Sequence, residues 1–193
     1  MKSTNFQNIM TALLIVDVQK AFSDKDYPGI KRNNLNAEKV CGLILNKWRD
    51  LNLPVIHIRH SSIDPSSKLH ESKPGFLFND YVLPQKNETV LTKHVNSGFI
   101  GTNLETLLKD QNIKKLVIVG MTTNHCISST ARMSGNLGYD TYLISDATAA
   151  YNTIGLDGKM IDCEVIYNIS LANLNEEFAT ILSSEELFSS LNL

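Results

Sequence analysis

The run Ala12-Leu13-Leu14-Ile15-Val16, followed at once by Asp17, decides the fold. Five consecutive apolar residues with no polar alternation need cover on both faces, as strands inside a parallel sheet do. Similar runs recur along the chain. They are Val55-Ile56-His57-Ile58 after Pro54, the weaker Thr89-Val90-Leu91-Thr92, and Leu116-Val117-Ile118-Val119 closed by Gly120. Thr141-Tyr142-Leu143-Ile144, ended by Ser145-Asp146, and Phe178-Ala179-Thr180-Ile181-Leu182 complete the set. Helical spacing fills the gaps. Val40, Leu43, Ile44 and Trp48 predict a helix over 36–51. Thr102 is read as the cap of a helix through Leu104, Leu107 and Leu108. Further helices are predicted over 123–138, ending at Gly138, and over 157–172. Ser183 and Glu186 form a capping-box pattern for a last one. Strand and helix in alternation predict a doubly wound α/β fold, with residues 1–193 as a single domain. Residues 60–86, rich in Ser and Pro, break the alternation and read as a functional loop.

Composition narrows the function. Lys and Arg total 18 against 20 Asp and Glu, a net charge of −2. That balance leaves no electrostatic footprint for nucleic acid or anionic lipid. No stretch approaches the roughly 18 apolar residues a membrane span needs. Residues 1–10 lack the apolar core of a signal peptide, so a cytoplasmic location is expected. The three cysteines, Cys41, Cys126 and Cys163, are odd in number and widely spaced. They make no disulfide framework and no zinc pattern, and reduced thiols are expected.

In open α/β sheets ligands lie beyond the C-terminal ends of the strands. Asp17, Lys93 and Asp146 stand at such ends, and Cys126 follows Gly120 at a predicted helix start. No G-x-G-x-x-G, Walker lysine loop or G-x-S-x-G elbow is present. This argues against a dinucleotide-dependent dehydrogenase, a P-loop NTPase and a serine α/β-hydrolase, and no cofactor is expected. A thiol near a helix N-terminus or a cation has a lowered pKa. Asp17 can take its proton and Lys93 can keep Asp17 ionised, the logic of nucleophile, base and orienter. Each residue also has an ordinary reading: a turn-forming Asp, a solvated Lys, a small buried Cys. From the residues alone the chain reads as a thiol hydrolase or a redox enzyme.

Three blocks carry a resemblance. They are Ala12 to Asp17 with Gln19 and Phe22, then Lys93 with Ser97-Gly98-Phe99, Thr102 and Leu104, then Gly120-Met121-Thr122-Thr123-Asn124-His125-Cys126-Ile127 with Thr130-Ala131. Ser145-Asp146-Ala147 adds to them. In this order they resemble the isochorismatase-like cysteine hydrolases, which include nicotinamidases and N-carbamoyl amidohydrolases. The resemblance implies a three-layer α/β/α fold around a six-stranded, mostly parallel sheet. It implies a catalytic triad of Asp17, Lys93 and Cys126, and a non-proline cis peptide at Met121–Thr122. The oxyanion hole would be the backbone N–H groups of Thr122 and Cys126. The expected reaction is hydrolysis of a small amide or carbamoyl compound through a Cys126 thioester.

Nicotinamidases of this superfamily carry a metal site built from a D-x-H element and a later His. The matching region here reads His57-Ile58-Arg59-His60, with His70 beyond, and lacks that spacing. Residues three apart on a strand point to opposite faces, so no metal is expected; His57 reads as a core residue, and Arg59 and His60 as residues of the pocket rim. Phe22, Phe99 and Tyr151 are the expected aromatic walls of the substrate pocket. Dimers or tetramers are common in the family, so a homo-oligomer is expected. Two other readings stand beside the leading one. A vinyl-ether hydrolase of the isochorismatase type would not need Cys126. A catalytically silent interaction protein would not need the Asp17–Lys93–Cys126 set.

Overall fold

The computed structural model describes residues 10–23 and 31–191. The expectation about residues 1–10 therefore lies, but for Met10, outside the described residues. Six strands form one sheet: β1 (Thr11–Val16), β2 (Val55–His60), β3 (Thr89–Lys93), β4 (Lys115–Met121), β5 (Asp140–Ala149) and, late in the chain, β8 (Thr180–Leu182). Their order is β3-β2-β1-β4-β5-β8 and every pairing is parallel. Helices cover both faces: α1 (Lys20–Ser23), α2 (Ala37–Asp50), α3 (Leu104–Asp110), α4 (Ser128–Asn136), α5 (Cys163–Leu174) and α6 (Ser184–Ser190). Two short strands, β6 (Thr153–Ile154) and β7 (Met160–Ile161), pair as an antiparallel hairpin.

The unbroken apolar runs have the cause read from the sequence. Alternate residues of β1 go to opposite cores. Leu13 and Ile15 join Val117, Val119, Tyr142 and Ile144 under Ile44 and Trp48 of α2 and Leu187 of α6. Ala12, Leu14 and Val16 join Ile118 and Leu143 against Leu104 of α3, Ala131 of α4 and Leu174 of α5. All six residues of β1 are buried. Each Leu or Ile buried this way contributes about 1.5–3 kcal/mol.

The strand ends that carry Asp17 and Met121 are drawn together by Gly120. Its φ is 132°, and a Cβ there would lie 1.8 Å from the Val16 carbonyl oxygen. Only glycine permits that approach.

Three local readings change. The helix predicted over 157–172 begins only at Cys163, where Asp162 accepts from the Glu164 N–H. The residues before it form the β6–β7 hairpin instead. Gly158 at φ 77° and Asp157, which accepts from the Lys159 N–H, favour a turn over a helix start. Thr102 is not the cap residue of α3; Asn103 holds that position. The Thr102 hydroxyl donates to the Gly98 carbonyl at 2.6 Å and accepts from the Leu104 N–H. The helix predicted from 123 opens as a π-turn, Thr123–Ile127, before α4, and Gly138 follows it at φ 84°. No helix among the described residues is long and apolar enough to cross a membrane.

Candidate active site

Asp17 stands one residue past β1 with φ at 55°, in a region non-glycine residues seldom occupy. Its N–H donates to the Ile58 carbonyl at 2.7 Å, and its own carbonyl accepts from the Gln19 N–H. The turn places a wholly buried carboxylate at the end of the sheet. Lys93, the last residue of β3, is also wholly buried. A buried ammonium needs partners, since an unpaired one is very costly. Its Nζ has three: Asp17 Oδ2 at 2.6 Å, Cys126 Sγ at 3.2 Å and His60 Nδ1 at 3.3 Å. The other oxygen of Asp17, Oδ1, is buried without a hydrogen-bond partner. It is an acceptor available to a proton.

Cys126 sits within the π-turn that follows β4. The peptide bond Met121–Thr122 is cis, as the resemblance implied. The Thr122 carbonyl accepts from the N–H groups of His125 and Ile127, which winds the turn tightly enough to bring Cys126 over the sheet. Asp17, His60 and Cys126 each offer an atom within 4.8 Å of the others.

The electrostatics differ from the expected pattern in one respect. Burial pushes the Asp17 carboxyl above the usual carboxylate range, against the pull of the Lys93 ammonium. Burial, with the Asp17 carboxylate beside it, pushes the Cys126 thiol up to about 12. The lowered thiol pKa expected from a nearby cation is overturned, because desolvation outweighs Lys93. The resting thiol keeps its proton next to a carboxylate of raised basicity.

These groups open onto a cavity of about 400 Å³. Phe22 and Tyr151 line it, with Leu69 and Ile154, and Thr122 lies at its floor beside Cys126. The Tyr151 hydroxyl donates to the Phe22 carbonyl at 2.8 Å, and Arg32, paired with Glu38, donates to the same oxygen. Phe99 is a correction. It is absent from the cavity lining, and its ring stacks on Tyr139 in the core that holds Leu104. It follows Gly98, whose N–H is held by the Thr130 hydroxyl, and this fixed turn sends the ring inward.

The histidines diverge. His57 is buried against Glu88, Nε2 to Oε2 at 2.8 Å, while His70 bonds Ser72. Arg59 stacks over Phe76 and donates to Thr92, and does not line the cavity rim where it was expected. His60 does line the cavity. Asp17, His60 and Cys126 are the donor types a divalent ion takes. The Lys93 ammonium, however, already touches all three, and a metal would have to displace a buried cation. These residues hold an ammonium and do not fit a metal. Sequence reasoning passed over Asn96 and Asn152 of the cavity wall, which carry no motif of their own, and gave Asn124, inside the Gly120–Ile127 block, no role.

Known proteins share the fold that holds this site. Residues 11–186 match the isochorismatase domain. The chain is 52% identical to the isochorismatase family protein YrdC of Bacillus subtilis, over 91% of this chain and 93% of that one. It is 25% identical to nicotinamidase 3 of Arabidopsis thaliana, over 94% of this chain and 89% of that one. A crystal structure of an isochorismatase-family protein from Chromobacterium violaceum superposes with a TM-score of 0.91 at 35% identity, covering 97% of this chain and 96% of the other. A family profile spanning nearly the whole chain, and a fold shared at that identity, make this chain a member of the isochorismatase family of hydrolases.

Proposed function

We propose that the chain is a cysteine hydrolase that cleaves the C–N bond of a small amide or carbamoyl compound. The observation that carries this reading is the Lys93 ammonium, 2.6 Å from Asp17 and 3.2 Å from Cys126, with the unpartnered Asp17 oxygen beside them. A nicotinamidase among the relatives supports an amide as the substrate. The apolar and aromatic walls, Phe22, Leu69, Tyr151 and Ile154, suit a compact acyl group.

In this mechanism Asp17 takes the proton of Cys126 as Sγ attacks the substrate carbonyl carbon. The carbonyl oxygen takes up the negative charge, and the backbone N–H groups of Thr122 and Cys126 donate to it. One such donor contributes about 2.7–4 kcal/mol to transition-state stabilisation. Protonated Asp17 then gives its proton to the amide nitrogen, the C–N bond breaks and the amine leaves. A water molecule, losing its proton to Asp17, attacks the thioester carbon. The C–S bond breaks, the acid departs, and the thiolate recovers its proton from Asp17. Lys93 stabilises the carboxylate whenever Asp17 is ionised and the thiolate whenever Cys126 is. The raised carboxyl pKa suits these transfers, because a more basic carboxylate accepts a thiol proton at smaller cost.

The test is ammonia release from a panel of nicotinamide, carbamoyl and ureido compounds. Wild-type protein should release ammonia from at least one. Cys126→Ala should release none while keeping the melting temperature. Ammonia release retained in that variant overturns the reading. Mass spectrometry of the Cys126 adduct identifies the acyl half.

A further inference from the structure

We infer that His60 is a positioning residue: its unprotonated Nδ1 is the third acceptor of the Lys93 ammonium and holds that ammonium between Asp17 and Cys126. An ammonium has three N–H bonds and no acceptor. Lys93 has three partners in reach, Asp17 Oδ2, Cys126 Sγ and His60 Nδ1. The count closes only if Nδ1 carries a lone pair, which places the ring proton on Nε2. The sheet brings the pair together, since His60 and Lys93 are partners in the β2–β3 register and share a face.

The backbone of His60 is fixed from a third side. The carboxamide of Gln19, two residues beyond Asp17, accepts from the His60 N–H at 2.8 Å and donates to the His60 carbonyl at 3.0 Å. The same Nε2 donates to the Phe76 carbonyl at 2.9 Å. Gln19 is wholly buried and spends its side chain on this clamp. The turn that carries Asp17 therefore also aligns the residue that orients Lys93. The titratable groups facing the His60 ring are Lys93, Asp17, His94 and Cys126. Burial and the adjacent ammonium hold its pKa below the ordinary histidine value, which favours a neutral ring, and the contact with the Lys93 ammonium puts the lone pair on Nδ1.

The consequence for catalysis rests on the amide-hydrolase reading, but the test does not. In the wild-type protein, ring ¹⁵N chemical shifts at pH 7 should show the neutral Nε2–H tautomer for His60, its signals assigned by their loss in His60→Asn. A protonated ring or an Nδ1–H tautomer overturns the inference. The second measurement is the rate of Cys126 alkylation by iodoacetamide against pH. His60→Leu removes the acceptor at similar size. It should slow alkylation by about tenfold or more at pH 8 and move the profile to higher pH, the scale of one lost hydrogen bond to a charged group. His60→Asn, whose Oδ1 replaces Nδ1, should stay within about threefold of wild type, since the charge-assisted bond is kept. A His60→Leu profile matching wild type at every pH reduces His60 to a wall of the cavity. If the tautomer and alkylation pattern hold while no amide is hydrolysed, the substrate reading fails alone. If ammonia is released while His60→Leu matches wild type, this inference fails alone.

Discussion

Lys93 Nζ lies 2.6 Å from Asp17 Oδ2, and both side chains are wholly buried. They come from strands that are not neighbours, since β2 lies between β1 and β3. Two charges removed from water in this way are tolerable only together. The pair therefore serves stability and chemistry at once.

Lys93→Met should destabilise the protein by about 3–5 kcal/mol, the usual cost of leaving one buried partner behind. Adding Asp17→Leu should restore part of the loss. Denaturant titration of the single and double variants measures it, and strictly additive losses would contradict a coupled pair.

Asp17→Asn separates acid–base work from thiol reactivity. The Asp17 carboxylate is one cause of the raised Cys126 pKa. Neutralising it while Lys93 stays charged should lower that pKa and speed alkylation of Cys126 at pH 8. Amide turnover should meanwhile fall by about 10²–10⁴ for lack of a general base. A slower alkylation would show that the carboxylate does not oppose the thiolate.

The aromatic residues make opposite predictions. Tyr151→Ala should raise KM, because Tyr151 walls the cavity. Phe99→Leu should leave KM within about twofold and lower stability by about 1–2 kcal/mol, as a core substitution does. Steady-state kinetics beside thermal melts distinguish the two.

Glu88, held by Arg49 and His57, has its carboxyl drawn down to about 2. A depressed folded-state pKa contributes stability that is present above the ordinary carboxyl value of 4.5 and lost as the pH falls through about 2. Urea unfolding of wild type against Glu88→Gln between pH 6 and 2 should show the gap narrowing as acid is added. A constant gap would mean that the charge of Glu88 does not matter.

Gly120→Ala should cost about 4 kcal/mol or more, or prevent folding, because the new methyl would enter the Val16 carbonyl. Soluble expression and melting temperature are the readout. A variant as stable as wild type would mean that β1 and β4 can separate at little cost.

Much of this was legible in order along the chain. The run from Ala12 to Val16 could be buried only on both faces, and the sheet buries it so. Asp17, Lys93 and Cys126 were marked by standing after strands, where a parallel sheet collects its ligand-binding ends. The β6–β7 hairpin was not legible, because Ile161 shares a helical spacing with Val165, Ile166 and Ile169, and the Asp157-Gly158 turn decided against a helix there. Phe99 was misplaced for a similar reason. Position beside Lys93 in the chain says nothing about which way a ring turns, and the Gly98–Thr130 bond sets that.

The sequence by itself determined the layered α/β fold and marked Asp17, Lys93 and Cys126, which the fold brings together. Strand burial and the alternation of strand with helix are properties of local pattern. Only the tertiary structure decided the direction in which the Asp17 and Cys126 pKa values move and which neighbour touches Lys93. The thiol pKa rises because burial outweighs the nearby ammonium, and burial depends on everything packed around Cys126. His60 reaches Lys93 because β2 and β3 are in register and Gln19 fixes its backbone. Neither distance can be read from spacing along the chain.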